Sequence, residues 1–226
     1  MVEVIPGILE DEFIEIEKKI RLVEPYVSWV QIDVLDGTLF NNSCFHDPKP
    51  FHDLDSHLLL EAHLMVKNPV RYVEPYYAAG FQRLIAHIEA FDAAQAKGFD
   101  GEENVFDFIN ICRQFNAEIA IALDLPTPVE EVFPYLESLD QVLVMTINTG
   151  KSGQNFEDRA LEKIRAIRAK DPYIHIEVDG GVNPESAKKA VAAGATRLAA
   201  TSSIFRSDTI KEAIEALKEK GGDEIQ

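Results

Sequence analysis

Three side chains able to carry a proton or hold a cation interrupt short apolar runs. They are Asp33 in Gln31-Ile32-Asp33-Val34-Leu35, His63 in Ala62-His63-Leu64-Met65-Val66 and Asp179 in Glu177-Val178-Asp179-Gly180-Gly181. Gln31, Asp33 and Leu35 alternate with Ile32 and Val34, so an extended chain places them on one face. If that face points inward, Asp33 needs compensation, because an unpaired buried carboxylate is costly or takes up a proton. A metal ion or a set of hydrogen-bond donors would supply it. Glu10, His87, Glu89, Asp124 and Asn148 stand at the corresponding places, where an apolar run gives way to a loop.

Glycines add a second chemistry. Asp179-Gly180-Gly181-Val182-Asn183-Pro184 closes one apolar run and opens a helix, and Ala200-Thr201-Ser202-Ser203 follows the next run. Free backbone N–H groups in such loops, beside a helix start, suit a phosphate. Lys151, Ser152 and Gly153 are placed to close over the same anion. Thr149-Gly150-Lys151-Ser152 has the look of a nucleotide-binding P-loop, but that motif requires glycine where Met145 stands.

The elements that must position these residues alternate along the chain. Strands are predicted at Val2–Leu9, Ser28–Leu35, Leu58–Val66, Arg83–Ile88, Glu118–Leu123, Gln141–Ile147, Tyr173–Val178 and Arg197–Ala200. Helices are predicted at Asp11–Val23 (apolar side Ile14, Ile16, Ile20 and Val23), from Pro69, at Asn104–Phe115, after Pro126-Thr127-Pro128, at Phe156–Ala169, from Pro184 and at Thr209–Lys218. Thr38–His57 reads as a long loop with one short helix. Repeated βα units imply a parallel sheet covered on both faces. Eight of them in a chain of 226 residues fit a single α/β domain, a (β/α)8 TIM barrel over residues 1–220, with a short tail at 221–226. A doubly wound open sheet would carry a glycine-rich turn after its first strand, and none stands there. In a barrel of this kind the strand C-termini carry the chemistry, and the residues singled out above lie there.

The net charge of −17 argues against nucleic acid and anionic membranes as partners. Cys44 and Cys112 lack ligand-like spacing and suit a reducing compartment. With no apolar run of membrane-spanning length and no signal-like start, the expected setting is cytoplasmic.

Trp29-Val30-Gln31-Ile32-Asp33-Val34-Leu35-Asp36-Gly37, Ala62-His63-Leu64-Met65-Val66, Val144-Met145-Thr146-Ile147-Asn148 with Gly153, Gln154 and Phe156, and Glu177 through Pro184 resemble the motifs of the ribulose-phosphate 3-epimerase family, in order and with matching spacing from Ile5 to Leu217. The resemblance implies a ribulose-phosphate-binding type of barrel and the interconversion of D-ribulose 5-phosphate and D-xylulose 5-phosphate, in the pentose phosphate pathway of carbohydrate metabolism. Asp33 and Asp179 then serve as the two acid/base carboxylates, and one divalent metal ion (Mn²⁺, Fe²⁺, Zn²⁺ or Mg²⁺) stabilises the enediolate. Asp33, His63 and Asp179 become metal ligands. Met65 and Met145 line the site, with Leu35 at a third position where the family has methionine, and Gly153, Gly180, Gly181, Thr201 and Ser202 surround the phosphorylated ketose. The family's habit of self-association implies a homo-oligomer.

Three departures stand out. Gln31 replaces a ligand histidine, Glu10 replaces a serine at the end of the first strand, and Thr201 replaces a glycine before Ser202. Gln31 is a weaker, neutral ligand, and Glu10 has two readings. As a substitute ligand and substrate contact it gives a Glu/Asp/His/Asp set suited to Mn²⁺, Mg²⁺ or Fe²⁺ rather than Zn²⁺. Without a metal it hydrogen-bonds Gln31 or meets a different substrate. Two other functions stay open beside this epimerase: a sugar-phosphate-binding protein on an inactivated scaffold, and an isomerase, epimerase or decarboxylase for another sugar phosphate. A decarboxylase-type D-x-K-x-x-D strand is missing its lysine, since Val34 and Leu35 stand between Asp33 and Asp36. His87 reads as a hydrogen-bonded core histidine, and His46, His52 and His57 as loop residues in water.

Overall fold

The computed structural model describes residues 2–91, 104–149 and 154–222. Eight strands form a closed barrel in sequence order: β1 (Glu3–Ile8), β2 (Trp29–Leu35), β3 (Leu59–Met65), β4 (Phe81–His87), β5 (Glu118–Leu123), β6 (Gln141–Met145), β7 (His175–Asp179) and β8 (Arg197–Ala200). Every neighbouring pair is parallel, and β8 closes onto β1 through Glu3–Arg197 to Pro6–Ala200. Helices α1 (Phe13–Val23), α2 (Val70–Ala78), α3 (Val105–Phe115), α4 (Ala160–Lys170), α5 (Pro184–Ala193), α6 (Ser202–Phe205) and α7 (Ile210–Gly222) lie between and after them. No helix among the described residues is long and apolar enough to cross a membrane.

The period-two alternation of the strands sorts their side chains. Val30, Ile32 and Val34 of β2, with Ala62 and Leu64 of β3 and Ile176 and Val178 of β7, belong to the main core against the helices. Gln31, Asp33 and Leu35 take the inner face, as expected. The lower barrel is closed by paired charge. Arg83 bonds Glu61, lies 2.7 Å from Glu118 and stacks its guanidinium 3.9 Å from the Trp29 ring centre. Arg197 bonds Gln141 and Glu3, and Gln141 donates to Glu177 at 2.6 Å. Burial pushes the Glu61 and Glu177 carboxyls up, and at Glu177 the neighbouring Glu61 charge adds to it.

Several expected elements take a different form. The helix expected after Pro126-Thr127-Pro128 is two 3-10 turns, Val129–Glu131 and Phe133–Ser138. Pro134 has no N–H to give to a carbonyl four residues back and its ring crowds that turn, which favours short 3-10 turns here over one continuous α-helix. α4 starts at Ala160 rather than Phe156, because Glu157 N–H is drawn to Thr146 O at 2.8 Å and keeps the preceding segment outside the helix. Ile14 is 55% exposed rather than part of the apolar side of α1. It lies about 200° around the helix from buried Ile16. The closing helix extends past Lys218 to Gly222, into the expected tail. The long loop after β2 does carry one short helix, Lys49–Asp53. Both cysteines are buried and unbridged.

Candidate active site

Parallel register sets Asp33 of β2 beside His63 of β3. β7 brings Asp179 to the same level from the other side of the barrel, and Thr146 fixes its backbone by donating N–H to Asp179 O at 2.7 Å. His63 Nδ1 lies 3.1 Å from Asp33 Oδ1 and 3.4 Å from Asp179 Oδ2. Gln31 Nε2 donates to Asp33 Oδ1 and to Asp179 Oδ2, both at 2.9 Å. Burial raises the pKa of Asp33 and the Asp179 charge adds to this, against hydrogen bonds from His63 and Gln31. Burial works against a charged His63, but its bonds to Asp179 and Asp33 and their charges carry its pKa to about 10.

The donor atoms of Asp33, His63 and Asp179 all lie within 4.8 Å of one another, a spread that suits a shared cation. Gln31 Oε1 is buried without a hydrogen-bond partner. Turning the amide over places that oxygen where Nε2 now bridges the carboxylates, as a fourth, neutral donor. The residues present therefore fit a small divalent cation. Glu10 stands outside this group, with its carboxylate 2.5 Å from Lys19 Nζ. The Glu10–Gln31 hydrogen bond, one of the readings left open for Glu10, is not formed: both Gln31 amide hydrogens go to the two carboxylates, and Glu10 pairs with Lys19.

A cavity of about 350 Å³ opens above the cluster at the strand C-termini. Met65, Met145 and Leu35 give it apolar walls, and Gly180, Gly181, Thr201 and Ser202 form one rim, with Glu10 nearby. The rim glycines are required by space and backbone. Gly180 has φ +114°, and a Cβ there would lie 2.4 Å from Ile147 Cγ1. Gly181 has φ +63°, and its Cβ would meet Phe156 N at 2.4 Å. Ser203 Oγ donates to Val182 O at 2.7 Å and ties the two rim loops together. Gly153, with Lys151 and Ser152, lies outside the described residues.

Lys19 and Arg206 also line the cavity, and the sequence reading passed over both. Lys19 sits 4.7 Å from the Phe205 ring centre. A lysine among the charges of an amphipathic helix gives no local signal that it leans toward a barrel mouth. His87 is a buried, hydrogen-bonded histidine as read, 2.8 Å from His63 through their Nε2 atoms. Asp124 holds the loop after β6 through the Thr149 hydroxyl at 2.7 Å, and the Asn148 amide turns to Glu157 at 3.4 Å.

A closed parallel barrel with an acid–imidazole cluster at its strand C-termini, beneath a glycine-lined rim, is the architecture of a (β/α)8 enzyme. Residues 3–205 match the Ribulose-phosphate 3 epimerase family, and the chain belongs to that family. It is a ketose-phosphate 3-epimerase, an isomerase. It is 35% identical to the cytoplasmic isoform of ribulose-phosphate 3-epimerase of Oryza sativa subsp. japonica, over 96% of this chain and 92% of that protein. It is 31% identical to the ribulose-phosphate 3-epimerase of Bacillus subtilis, over 96% of this chain and 99% of that one. Among solved structures, 3-hexulose-6-phosphate synthase from Salmonella typhimurium shares the fold, with TM-score 0.73 at 10% identity, covering 96% of this chain and 97% of that one.

Proposed function

We propose that the chain interconverts D-ribulose 5-phosphate and D-xylulose 5-phosphate, with Asp33 and Asp179 as the two bases. The observation that carries this reading is the cross-barrel pair itself: carboxylates from β2 and β7 converge on His63 Nδ1 at 3.1 and 3.4 Å at the floor of the cavity. One carboxylate takes the proton from C3, next to the C2 ketone. The C–H electron pair passes into the enediolate, and the other carboxylate delivers a proton to the opposite face of C3, which inverts that carbon.

Asp33, His63 and Asp179, with Gln31 turned over as a weak fourth donor, are the residues that would hold a divalent cation. When bound, the cation polarises the ketone and offsets the enediolate charge. Three oxygens and one imidazole nitrogen favour Mn²⁺, Fe²⁺ or Mg²⁺ over Zn²⁺. The apolar walls of Met65, Met145 and Leu35 keep water from the carbanion-like carbon, and Gly180, Gly181, Thr201 and Ser202 receive the phosphate. Glu10, steadied by Lys19, faces the polar end of the sugar. A cytoplasmic setting fits this reading, since the Oryza sativa relative is a cytoplasmic isoform, and a homo-oligomer is what the family resemblance implies.

Asp33→Asn and Asp179→Asn test it. Each is expected to lower turnover of ribulose 5-phosphate by about 10²- to 10⁴-fold or more with an unchanged circular dichroism spectrum. Full turnover in either variant refutes the two-base assignment. Tight binding of the sugar phosphate by the unmodified protein, with no proton exchange at C3, would mark a binding protein instead.

A further inference from the structure

We propose that His87 and Glu89 are positioning residues that set the tautomer of neutral His63, so that on cation binding it is Nδ1 that gives up its proton and presents a lone pair to the space between Asp33 and Asp179. This rests on the reading of that space as a cation site.

His63 and His87 are both buried. Their rings lie within 15° of parallel, and the two Nε2 atoms are 2.8 Å apart. At that distance one nitrogen donates and the other accepts. The chain's far end decides which. His87 Nδ1 lies 3.1 Å from Glu89 Oε2, and Glu89 Oε1 accepts from Asp124 N–H at 2.8 Å and from the Thr127 hydroxyl. Two fixed donors on Oε1, a backbone N–H and a hydroxyl, favour the ionised, accept-only form of Glu89. An ionised Glu89 can only accept. His87 Nδ1 therefore carries the proton, and neutral His87 is left with a bare Nε2. His63 must donate to it from Nε2, so a neutral His63 has a bare Nδ1. The opposite order would put a hydrogen on His63 Nδ1, pointing into the space between the carboxylates. The Phe40 ring, edge-on to His87 with centres 5.2 Å apart, packs against this array.

Glu89→Gln keeps the shape and reverses the order. The fixed Asp124 N–H demands an oxygen, so the new amide turns its NH₂ toward His87 Nδ1. His87 must then accept there and donate from Nε2, which drives the His63 proton onto Nδ1.

The test is Zn²⁺ binding by competition with a chromophoric chelator, together with ¹⁵N spectra of histidine-labelled protein. In the zinc-loaded wild type the ring protons are expected on His63 Nε2 and His87 Nδ1. Glu89→Gln is expected to keep its near-ultraviolet circular dichroism and to bind Zn²⁺ about 10- to 100-fold more weakly. A Glu89→Gln protein that binds Zn²⁺ as tightly, with the wild-type proton pattern, overturns the positioning role alone. So does a zinc-loaded wild type whose His87 proton is on Nε2, a result that needs no variant. A wild type that takes up none of Zn²⁺, Mn²⁺ and Fe²⁺ overturns the cation reading and this role with it.

Discussion

Gln31 reaches Asp179 across the barrel, with its amide nitrogen 2.9 Å from Oδ2. The same nitrogen serves Asp33, so one neutral side chain gives both its hydrogens to the two carboxylates of the site. Without a cation, this amide and His63 are what keep two acidic groups close together in a buried place.

Gln31→Leu removes that donor and leaves the carboxylates with His63 alone. The metal-free variant is expected to lose about 1–3 kcal/mol of stability in urea titrations. Added Mn²⁺ should recover much of the loss by taking the place of the lost donor. Equal stability of variant and wild type without metal would show that the amide contributes nothing there.

The Glu10–Lys19 pair should govern how the anionic substrate enters. Lys19→Met leaves Glu10 unneutralised at the cavity mouth of a protein already at −17. KM for ribulose 5-phosphate is expected to rise about fivefold to tenfold, with kcat within about twofold, and the effect should shrink in high salt. The double variant Lys19→Met/Glu10→Gln should recover part of the loss. A fall in kcat alone would point to a role in the chemistry instead.

Gly7 and Thr201 form a spatial couple. A Cβ at Gly7 would lie 2.9 Å from Thr201 Oγ1. Gly7→Ala is therefore expected to cost about 1–3 kcal/mol through overpacking. With Thr201→Ala in place, the same change should become neutral or stabilising by up to about 1 kcal/mol, because the clash is gone and alanine restricts the unfolded chain. Thermal melts of the four proteins measure this. Additive effects would deny the coupling.

Glu89 sets an acid dependence. Its folded pKa, about 2, lies below its usual 4.5, so ionised Glu89 stabilises the fold at all pH values above about 4.5. That contribution fades as pH falls from about 4.5 toward 2, and the shift corresponds to at most about 3 kcal/mol. In metal-free protein the stability gap between wild type and Glu89→Gln should open over this window and stay level above it. A gap independent of pH would contradict the assignment.

The strands were legible because the two-residue alternation in Gln31–Leu35 and the runs at Ala62–Val66 and Val142–Val144 are direct consequences of a sheet with two faces. Asp33, His63 and Asp179 follow from that alternation together with strand ends, and the structure does bring them together. The 3-10 turns after β5 were missed because Pro126 and Pro128 read as a helix entry while Pro134, further on, disfavours a continuous α-helix. The Glu10–Lys19 pair was missed because it joins the end of β1 to the middle of α1, and such a contact depends on helix rotation over the sheet. The Gln31 bridge to Asp179 spans the barrel and has no local signature at all.

In the proposed mechanism, two carboxylates on opposite faces share the work at C3. Conversion of ribulose 5-phosphate in deuterium oxide, followed at early times by mass spectrometry and NMR, tests it most directly. Xylulose 5-phosphate is expected to carry solvent deuterium at C3 from the first turnovers, because the acid that protonates C3 is not the base that received the substrate proton. Product that retains the substrate's own hydrogen at C3 would show a single base acting on both faces, and would contradict it.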